Sequence, residues 1–476
     1  MPVTPEEAQA PLRALPKGAH VHMIGVAGAG MNALAAILLA RGFAVSGSDQ
    51  QRTPTIDRLI EHGLVFNLGH DATQVSGARL VIMSAAVRDS NVELAAARLA
   101  RIPVVKRAVA LGWLLDGKAT IAVAGTHGKT TTSAMLAVIL TRAGFDPTFV
   151  VGGEVSDLAA SAGVGTGDWA VVEADEYDRS FLQLRPTVAV ITNVEPDHLE
   201  YYGTVDAMHQ AYAQFIGRMQ SGGTMVLNGQ DECLSSLVAP DGMRVVRCAI
   251  DRADADWRAT SIREDGDGSR FRVTWPQGEL DTQLPLSGRH NILNALEALA
   301  AASAAGVDMA AAADALASFH GTGRRFEVLG EAAGVLVVDD YAHHPTEIRA
   351  TLAAARARYA NRRLVVVFQP HTYSRTKLLF DDFVTAFGGA DLLLLTDIYA
   401  AREADTLGMD ADQLAAAIGA RIGASRVLRA REVGDVTTTL TPYLRPRDVV
   451  FTLGAGTITE VGPRLLAALH AAGTCT

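Results

Sequence analysis

One stretch limits what this chain can fold into more than any other: Thr120 to Leu140, TIAVAGTHGKTTTSAMLAVIL. Ile121 to Ala124 is an apolar run that predicts a buried strand. Met135, Leu136, Ile139 and Leu140 recur at helical spacing. Between them stand Gly125, Thr126, His127, Gly128, Lys129, Thr130 and Thr131. Strand, glycine turn, Lys-Thr and helix is the layout of a phosphate cradle: free backbone N–H groups at a helix start face an anion, and the helix dipole favours negative charge there. In such a cradle Lys129 reaches the β- and γ-phosphates of ATP, and the Thr130 hydroxyl is a Mg²⁺ ligand. The glycine spacing is shorter than in the common GxxxxGK[ST] loop.

A chain of 476 residues is too long for one core, and roughly three domains are expected. The boundaries read from the sequence are 1–118, 119–322 and 323–476. The formal net charge of -10 argues against nonspecific nucleic-acid binding. An anionic nucleotide must then be held by local devices. The three cysteines, Cys233, Cys248 and Cys475, form no C-x-x-C pair, which points to a reducing compartment without a zinc site. The first residues carry acids and prolines where a signal peptide needs an apolar centre. No apolar run approaches the ~20 residues of a membrane helix. The expectation is a cytoplasmic protein with no membrane partner.

The first third opens as a βαβ unit. His20 to Val26 predicts a strand, Gly25 to Gly30 a glycine turn, Met31 to Leu39 a helix, and Ala44 to Gly47 a second strand ending at Ser48-Asp49. The turn reads G-x-x-G-x-G, an imperfect dinucleotide fingerprint, and close helix-on-strand packing is its bland alternative. Arg79 to Ser84 predicts another strand. In open α/β sheets ligands lie beyond the carboxyl ends of strands. Gly28, Ala29, Gly30, Met31, Asp49, His70 and Ser84 fall at such ends, and a nucleotide or its diphosphate is the natural occupant. A plain loop role stays open for His70 and Ser84.

In the middle third Asp168 to Glu173 predicts a strand followed by an acidic loop with Asp175, Glu176 and Asp178. Glu173, directly ending the apolar run, is the metal candidate; a solvated loop is the alternative. Thr187 to Ile191 predicts a further strand ending in Asn193 and, five residues on, His198, which is either a capping histidine or a metal ligand. Asn291 precedes an Ala-rich helix and is a candidate N-cap. In the last third, strands at Gly334 to Asp339, Arg363 to Phe368, Asp391 to Leu395 and Asp448 to Leu453 alternate with helices. That alternation predicts a second doubly wound sheet. The overall class is α/β with three domains: Rossmann-like, P-loop-type with a mostly parallel sheet, and Rossmann-like again.

The motif GTHGKTTT resembles the Mur ligases, which join amino acids to the UDP-muramyl precursor of peptidoglycan. GVAGAGM, NVEPDH, SGRHNILNALEALAA, GTGRRFE, DDYAHHPTEI and FQPHTYSRT extend the resemblance over all three domains and toward the alanine-adding branch. The resemblance implies ATP-driven amide formation through an acyl phosphate, with UDP-N-acetylmuramate, L-alanine and ATP as partners and two Mg²⁺ ions. It places the UDP part on the first domain, with Asn193 also at the substrate. It assigns Lys129, Glu173, His198 and Arg325 to catalysis, and Thr130, Glu173 and His198 to metal. Asn291 would contact adenine, Arg325 the phosphates, Asp340 the ATP ribose, and Tyr341, His343 and Arg375 the alanine. Thr372 departs from the pattern, because some members carry Arg there. Several relatives use a carbamylated lysine in the central domain, but no lysine lies between Lys129 and Lys377 here. The glycines Gly321 and Gly323 read as a hinge.

Overall fold

The computed structural model describes residues 4–266, 268–401, 403 and 407–473. Cys475 and the side chain of Ala29 lie outside the described residues. The chain is α/β, with three sheet systems dominated by parallel strands. Its residues divide into two compact units. The first holds 1–196, 201–257 and 296–316; the second holds 197–200, 258–295 and 317–476.

In the first unit, five parallel strands run in the order Val65–Leu68, Ala44–Asp49, His20–Ile24, Leu80–Met83, Val104–Lys106. The strand order reverses between His20–Ile24 and Leu80–Met83, so a crevice opens there beyond their carboxyl ends. The first strand stops at Ile24, two residues earlier than the apolar pattern suggests. Gly25 adopts φ 83, a left-handed backbone that ends the extended run. The helix Ala29–Ala40 begins at once, capped by Gly28.

The same unit contains a second run of strands, ordered Arg244–Ile250, Thr224–Asn228, Val188–Ile191, Ala119–Ala124, Trp169–Glu173, Thr148–Val155, Ala160–Gly163. All pair in parallel except the last, which is antiparallel to its neighbour. Ala119–Ala124 is central. Its neighbours end in Glu173 on one side and lead into Thr192-Asn193 on the other, so the middle of the chain delivers three polar ends to one place. Helix Lys129–Arg142 is buried at every position from Thr130 to Leu140. A helix buried all round is fixed by packing on every face.

The second unit contains a six-stranded sheet, ordered Glu327–Ala332, Val335–Asp340, Val449–Leu453, Leu364–Phe368, Leu392–Leu395, Val427–Arg429. Only the edge strand Glu327–Ala332 is antiparallel. Val335–Asp340, Leu364–Phe368 and Val449–Leu453 are buried at every residue, as expected of parallel strands covered on both faces. The apolar runs located these strands to within a residue. A meander of Trp257–Asp265, Gly268–Trp275 and Gly278–Leu284 was not anticipated. Its outer strand Gly278–Leu284 is largely polar, and that composition hides it.

Helix Arg107–Leu114 packs its backbone on the loop that follows the acidic cluster. A Cβ on Gly112 would stand 2.3 Å from the carbonyl oxygen of Gln183. Alanine improves intrinsic helix propensity by about 1 kcal/mol, but overpacking a tight contact costs about 1–3 kcal/mol. Gly112→Ala is expected to lower the urea unfolding midpoint of the first unit. A raised midpoint would show that helix and loop separate freely.

Candidate functional site

The cradle is built by close approach of backbones. Gly125 has φ 129, and a Cβ there would lie 2.1 Å from Thr192 Oγ1. Gly128, at φ 82, caps helix Lys129–Arg142, whose first turn contains no acidic residue. The turn is held by the strand end beside it. The Thr126 N–H donates to the Asn193 carbonyl (3.0 Å), and Thr126 Oγ1 exchanges hydrogen bonds with the backbone of Glu195 (3.1 and 2.9 Å). The Asn193 amide clamps His127 twice, accepting from its N–H (2.8 Å) and donating to its carbonyl (3.1 Å). Asn193, expected at the substrate, therefore uses both ends of its side chain to shape the cradle.

Lys129 Nζ donates to the Gly125 carbonyl (2.5 Å), the Thr126 carbonyl (3.1 Å) and Glu176 Oε1 (2.9 Å). Burial pulls its pKa down, but the charges of Glu176, Glu173 and Asp175 more than offset this and raise it, so the ammonium stays charged. Thr130 and Thr131 stand in the first turn of the helix, both buried. Glu173 Oε2 accepts from the Gly152 N–H (2.7 Å). A Cβ on Gly152 would sit 2.6 Å from that oxygen. The acidic cluster is not a freely solvated loop. Glu176 holds Lys129, Asp175 pairs with Arg107 (3.4 Å) and Asp178 with Lys106 (2.6 Å). Sequence reasoning singled out Glu173 and missed Glu176, Gly152 and Arg107; the glycine pair ending VVGG was the available signal for Gly152.

At the crevice of the five-stranded sheet lies a cleft of about 650 Å³ whose lining includes Gly28, Asp49, His70, Ser84 and Arg88. Four of the residues expected at strand ends are thus brought together. Asp49 Oδ2 accepts from the Ala27 N–H (2.9 Å) and props the glycine turn. Gly30 faces away toward Arg107, whose Nη1 would be 2.7 Å from a Cβ there. Met31 is buried in the core at 1% exposure. Behind His70 lies Glu93, a fully buried carboxylate that sequence reasoning did not identify.

In the second unit, Arg325 sits between two residues in left-handed conformation, Arg324 (φ 59) and Phe326 (φ 51). Both guanidinium groups lie over the Tyr341 ring, at 4.9 Å for Arg324 and 5.1 Å for Arg325. Asp340 is buried. Its oxygens accept from the N–H groups of Phe326 and Ala342, both at 2.8 Å. Burial, opposed by Arg325, pushes its carboxyl up to about 6. His343 is pushed down to about 3 by burial, so the imidazole is neutral at pH 7. Its Nδ1 lies 3.0 Å from the Tyr341 carbonyl, which leaves Nε2 carrying the lone pair. Asn291 donates to the Ser287 carbonyl (2.8 Å). That contact orients the amide, and it is not an N-cap bond.

Arg375 is a buried cation of this unit held by two partners. Its Nε and Nη2 donate to Asp197 Oδ1 (3.1 and 2.8 Å) and its Nη1 to His371 Nδ1 (2.9 Å), at 7% exposure. Thr372, just before it, caps helix Tyr373–Leu378 at φ 65, a rare state for a β-branched residue. Glu403 accepts from the N–H groups of Tyr373 (2.6 Å) and Ser374 (3.1 Å). His198 adopts φ 54, with Nδ1 at 3.3 Å from Glu200. Asp197 and Glu403 were both invisible to sequence reasoning, because each acts on a residue distant along the chain.

Comparison with known proteins adds an independent finding. Residues 20–119 match the model of the Mur ligase family catalytic domain, 123–302 the Mur ligase middle domain, and 324–456 the Mur ligase glutamate ligase domain. A protein of Halorhodospira halophila named UDP-N-acetylmuramate--L-alanine ligase is 45% identical over 460 residues, covering 95% of this chain and 94% of that protein. A protein of the same name from Geobacter sp. strain M21 is 43% identical, covering 95% and 98%. Among solved structures, the UDP-N-acetylmuramate-alanine ligase of Thermotoga maritima superposes with a TM-score of 0.80 at 28% identity, covering 95% of this chain and 99% of that one. A murein peptide ligase from Psychrobacter arcticus gives 0.73 at 28%, with the same coverage.

The Arg375–Asp197 pair yields a pH prediction. Burial would raise the Asp197 carboxyl, but Arg375 and then His198 hold it far below the usual carboxylate range. A carboxyl depressed in the folded state contributes stability that is complete above its unfolded pKa, about 3.9, and is lost as pH falls below it. Wild-type protein should therefore lose stability between pH 5 and pH 2 more steeply than Asp197→Asn, as read by urea unfolding. At pH 7 that substitution should cost about 3–5 kcal/mol, because it leaves a buried guanidinium unpaired. Equal pH slopes would show that the pair makes no such contribution.

Proposed function

The chain belongs to the Mur ligase family, and on that premise we propose that it joins L-alanine to the lactyl carboxylate of UDP-N-acetylmuramate with conversion of ATP to ADP and phosphate. The observation that carries the reading is the charged Lys129 held at the mouth of a glycine cradle on a central parallel strand. Near-full-length identity to UDP-N-acetylmuramate--L-alanine ligases supports alanine as the amino acid. The proposed division of labour gives residues 1–118 the UDP-sugar, 119–322 ATP, and 323–476 the amino acid. In its first segment the cleft with Gly28, Asp49, His70 and Ser84 takes the nucleoside diphosphate, and the first turn of helix Ala29–Ala40, with Ala29, Gly30 and Met31, offers backbone N–H groups to its phosphates. The chain has no helix, among the described residues, long and apolar enough to cross a membrane; we place its work in the cytoplasm, where these water-soluble substrates are made.

A carboxylate is a poor electrophile, so its oxygen first takes the γ-phosphoryl group and ADP leaves. The amine of alanine then attacks the acyl carbon, a tetrahedral oxyanion forms, and phosphate departs as the amine proton is lost. Lys129, assisted by Arg325, neutralises charge on the transferring phosphoryl group. The N–H groups at the start of the helix, from Gly128 through Thr131, hold the other phosphates, on a turn shaped by Gly125, Thr126 and His127. Asn291 is assigned to the adenine. Asp340 is assigned to the ribose end of ATP while its backbone contacts brace the Arg325 loop. Thr130 and Glu173 offer hard oxygen donors suited to Mg²⁺, and His198 offers a nitrogen for a second ion. Bound there, Mg²⁺ supplies positive charge to the phosphate oxygens. Tyr341, His343 and Arg375 are assigned to alanine. The neutral His343 Nε2 can accept a hydrogen bond that orients the amine, and Arg375 can hold the carboxylate by its planar fork.

The Psychrobacter relative makes ligation of a peptide in place of alanine the second reading. ADP release that needs UDP-N-acetylmuramate and L-alanine together supports the first; release with UDP-N-acetylmuramate and a free tripeptide, and none with alanine, would replace it. Lys129→Ala should lower kcat by ~10²–10³ while keeping the fold, and wild-type turnover would remove Lys129 from the chemistry. Because Lys129 and Lys377 have no lysine between them, bicarbonate should not restore activity to a CO₂-stripped enzyme. Arg375→Lys keeps a charge beside Asp197 but loses the fork. It should raise the alanine KM well above any change in the ATP KM, and Thr372→Arg should lower the alanine KM.

A further inference from the structure

Beneath the cleft of the five-stranded sheet runs a line of buried polar side chains that the ligase chemistry does not use. Glu93 lies on helix Val92–Leu99 and is fully buried. Its Oε1 faces His70 Nδ1 at 3.0 Å. Its Oε2 faces Ser48 Oγ at 2.7 Å and His22 Nε2 at 3.0 Å. Beyond His22 the line continues, with Nδ1 at 2.7 Å from Ser46 Oγ and that oxygen at 2.7 Å from His20 Nε2. Ser48 Oγ also lies 3.1 Å from His70 Nδ1. Only His70 combines membership of this line with a place in the cleft lining, where its side chain is 21% exposed.

One carboxylate fixes the direction of the hydrogens that reach it, and with neutral imidazoles that direction carries along the line. Burial works to raise the Glu93 carboxyl, but hydrogen bonds from His22, Ser48 and His70 outweigh it and hold it below the ordinary range. An ionised carboxylate is only an acceptor. Ser48 must therefore donate through its hydroxyl, His22 through Nε2–H and His70 through Nδ1–H. His22 Nδ1 then accepts from Ser46, and Ser46 from His20 Nε2–H. With Nδ1–H committed inward, the nitrogen that His70 has left for the cleft is Nε2, an acceptor. A second acceptor stands at the same mouth: the Asp49 carboxylate, already braced by Ala27. Two acceptors in the lining of one cleft suit ligand donors. They do not suit phosphate oxygens, which belong at the glycine turn and Arg88.

We propose that Glu93 is a positioning residue that locks His70 with Nε2 as an acceptor, so that His70 selects the nucleoside half of a nucleoside diphosphate through its ribose hydroxyls or ring N–H. The inference rests on reading this cleft as the UDP site, and it adds the residue that sets the cleft's selectivity. A purely structural role for the line would leave ligand discrimination unchanged, and that difference is measurable.

The experiment compares UDP and inorganic pyrophosphate binding by calorimetry in wild type, Glu93→Gln and His70→Asn. Asparagine keeps a donor near the Nδ1 position, so the line survives while the acceptor in the cleft is removed. Loss of one hydrogen bond corresponds to about tenfold in affinity. UDP should weaken about tenfold in both variants, with pyrophosphate affinity and the ATP KM unchanged. Nitrogen-15 spectra should show His70 Nε2 unprotonated in wild type and a mixture of tautomers in Glu93→Gln. Unchanged UDP affinity in His70→Asn overturns the proposal, whatever the stability of the Glu93 variant. Equal loss of UDP and pyrophosphate overturns it too, by putting His70 on the phosphates. A wild-type protein that binds no UDP would refute the reading of the cleft itself.

Discussion

A buried ammonium at the wrong end of a helix dipole sets the terms for the first unit. Lys129 begins helix Lys129–Arg142, where the dipole is positive and repels a cation. It stays there because Glu176 binds it directly and Glu173 and Asp175 lie near. Glu176 must in turn be held. Its carbonyl accepts from the Tyr202 hydroxyl (2.5 Å), and the loop it starts is tied back by Lys106 and Arg107. Those two cations also stand at a helix N-terminus, opposed to its dipole. The electrostatic stress of one functional lysine is thus passed through an acidic loop to the five-stranded sheet. The loop's left-handed residues Asp178 and Arg179 are part of how it is made to fit.

Left-handed backbone occurs beside several of the residues assigned to chemistry in the second unit. Arg324 and Phe326 flank Arg325 at φ 59 and 51, Thr372 stands beside Arg375 at φ 65, and His198 follows Asp197 at φ 54. Each such residue costs on the order of 1–3 kcal/mol and persists only where neighbours over-determine it. Here the neighbours are identifiable. Arg324 is bonded through Nε to Asp339 (2.9 Å), Phe326 through its N–H to Asp340, and Thr372 through its N–H to the Tyr399 carbonyl (2.9 Å). Acids that end buried strands hold the loops that present the arginines. Asp340 is an anchor first, and any role toward ATP is exercised from that fixed position.

What was legible in the sequence follows from the same physics. Strands buried on both faces are uninterrupted apolar runs, so Ala119–Ala124, Val335–Asp340 and Val449–Leu453 announced themselves, and their carboxyl ends marked where polar residues gather. The division of labour within each cluster was not legible. Glu173 and Glu176 are three residues apart in one acidic run, and only the path of the loop decides which meets Lys129. Asn193 looked like a substrate ligand, but its two hydrogen-bonding ends match the backbone of His127. Arg375 gave no sign of a partner 178 residues away. Glu93 lay unremarked in a helix of alanines and leucines, since nothing in its neighbours reports that two histidines and a serine converge on it.

The excess of acids takes on a different meaning in that light. The ligands proposed for this chain of net charge -10 are phosphates and carboxylates, yet the cations assigned to those anions rest on carboxylates: Lys129 on Glu176 and Arg375 on Asp197. A naked buried cation would be costly to keep and hard to aim. A cation already paired is desolvated and oriented before the ligand arrives, and an incoming phosphate or carboxylate shares or replaces a partner of the same charge. Such an exchange changes the local charge little, which limits raw affinity and favours ligands whose geometry matches the parked fork or ammonium. For the proposed ligation, which releases ADP and phosphate on every cycle, moderate affinity with fixed geometry is the more useful combination.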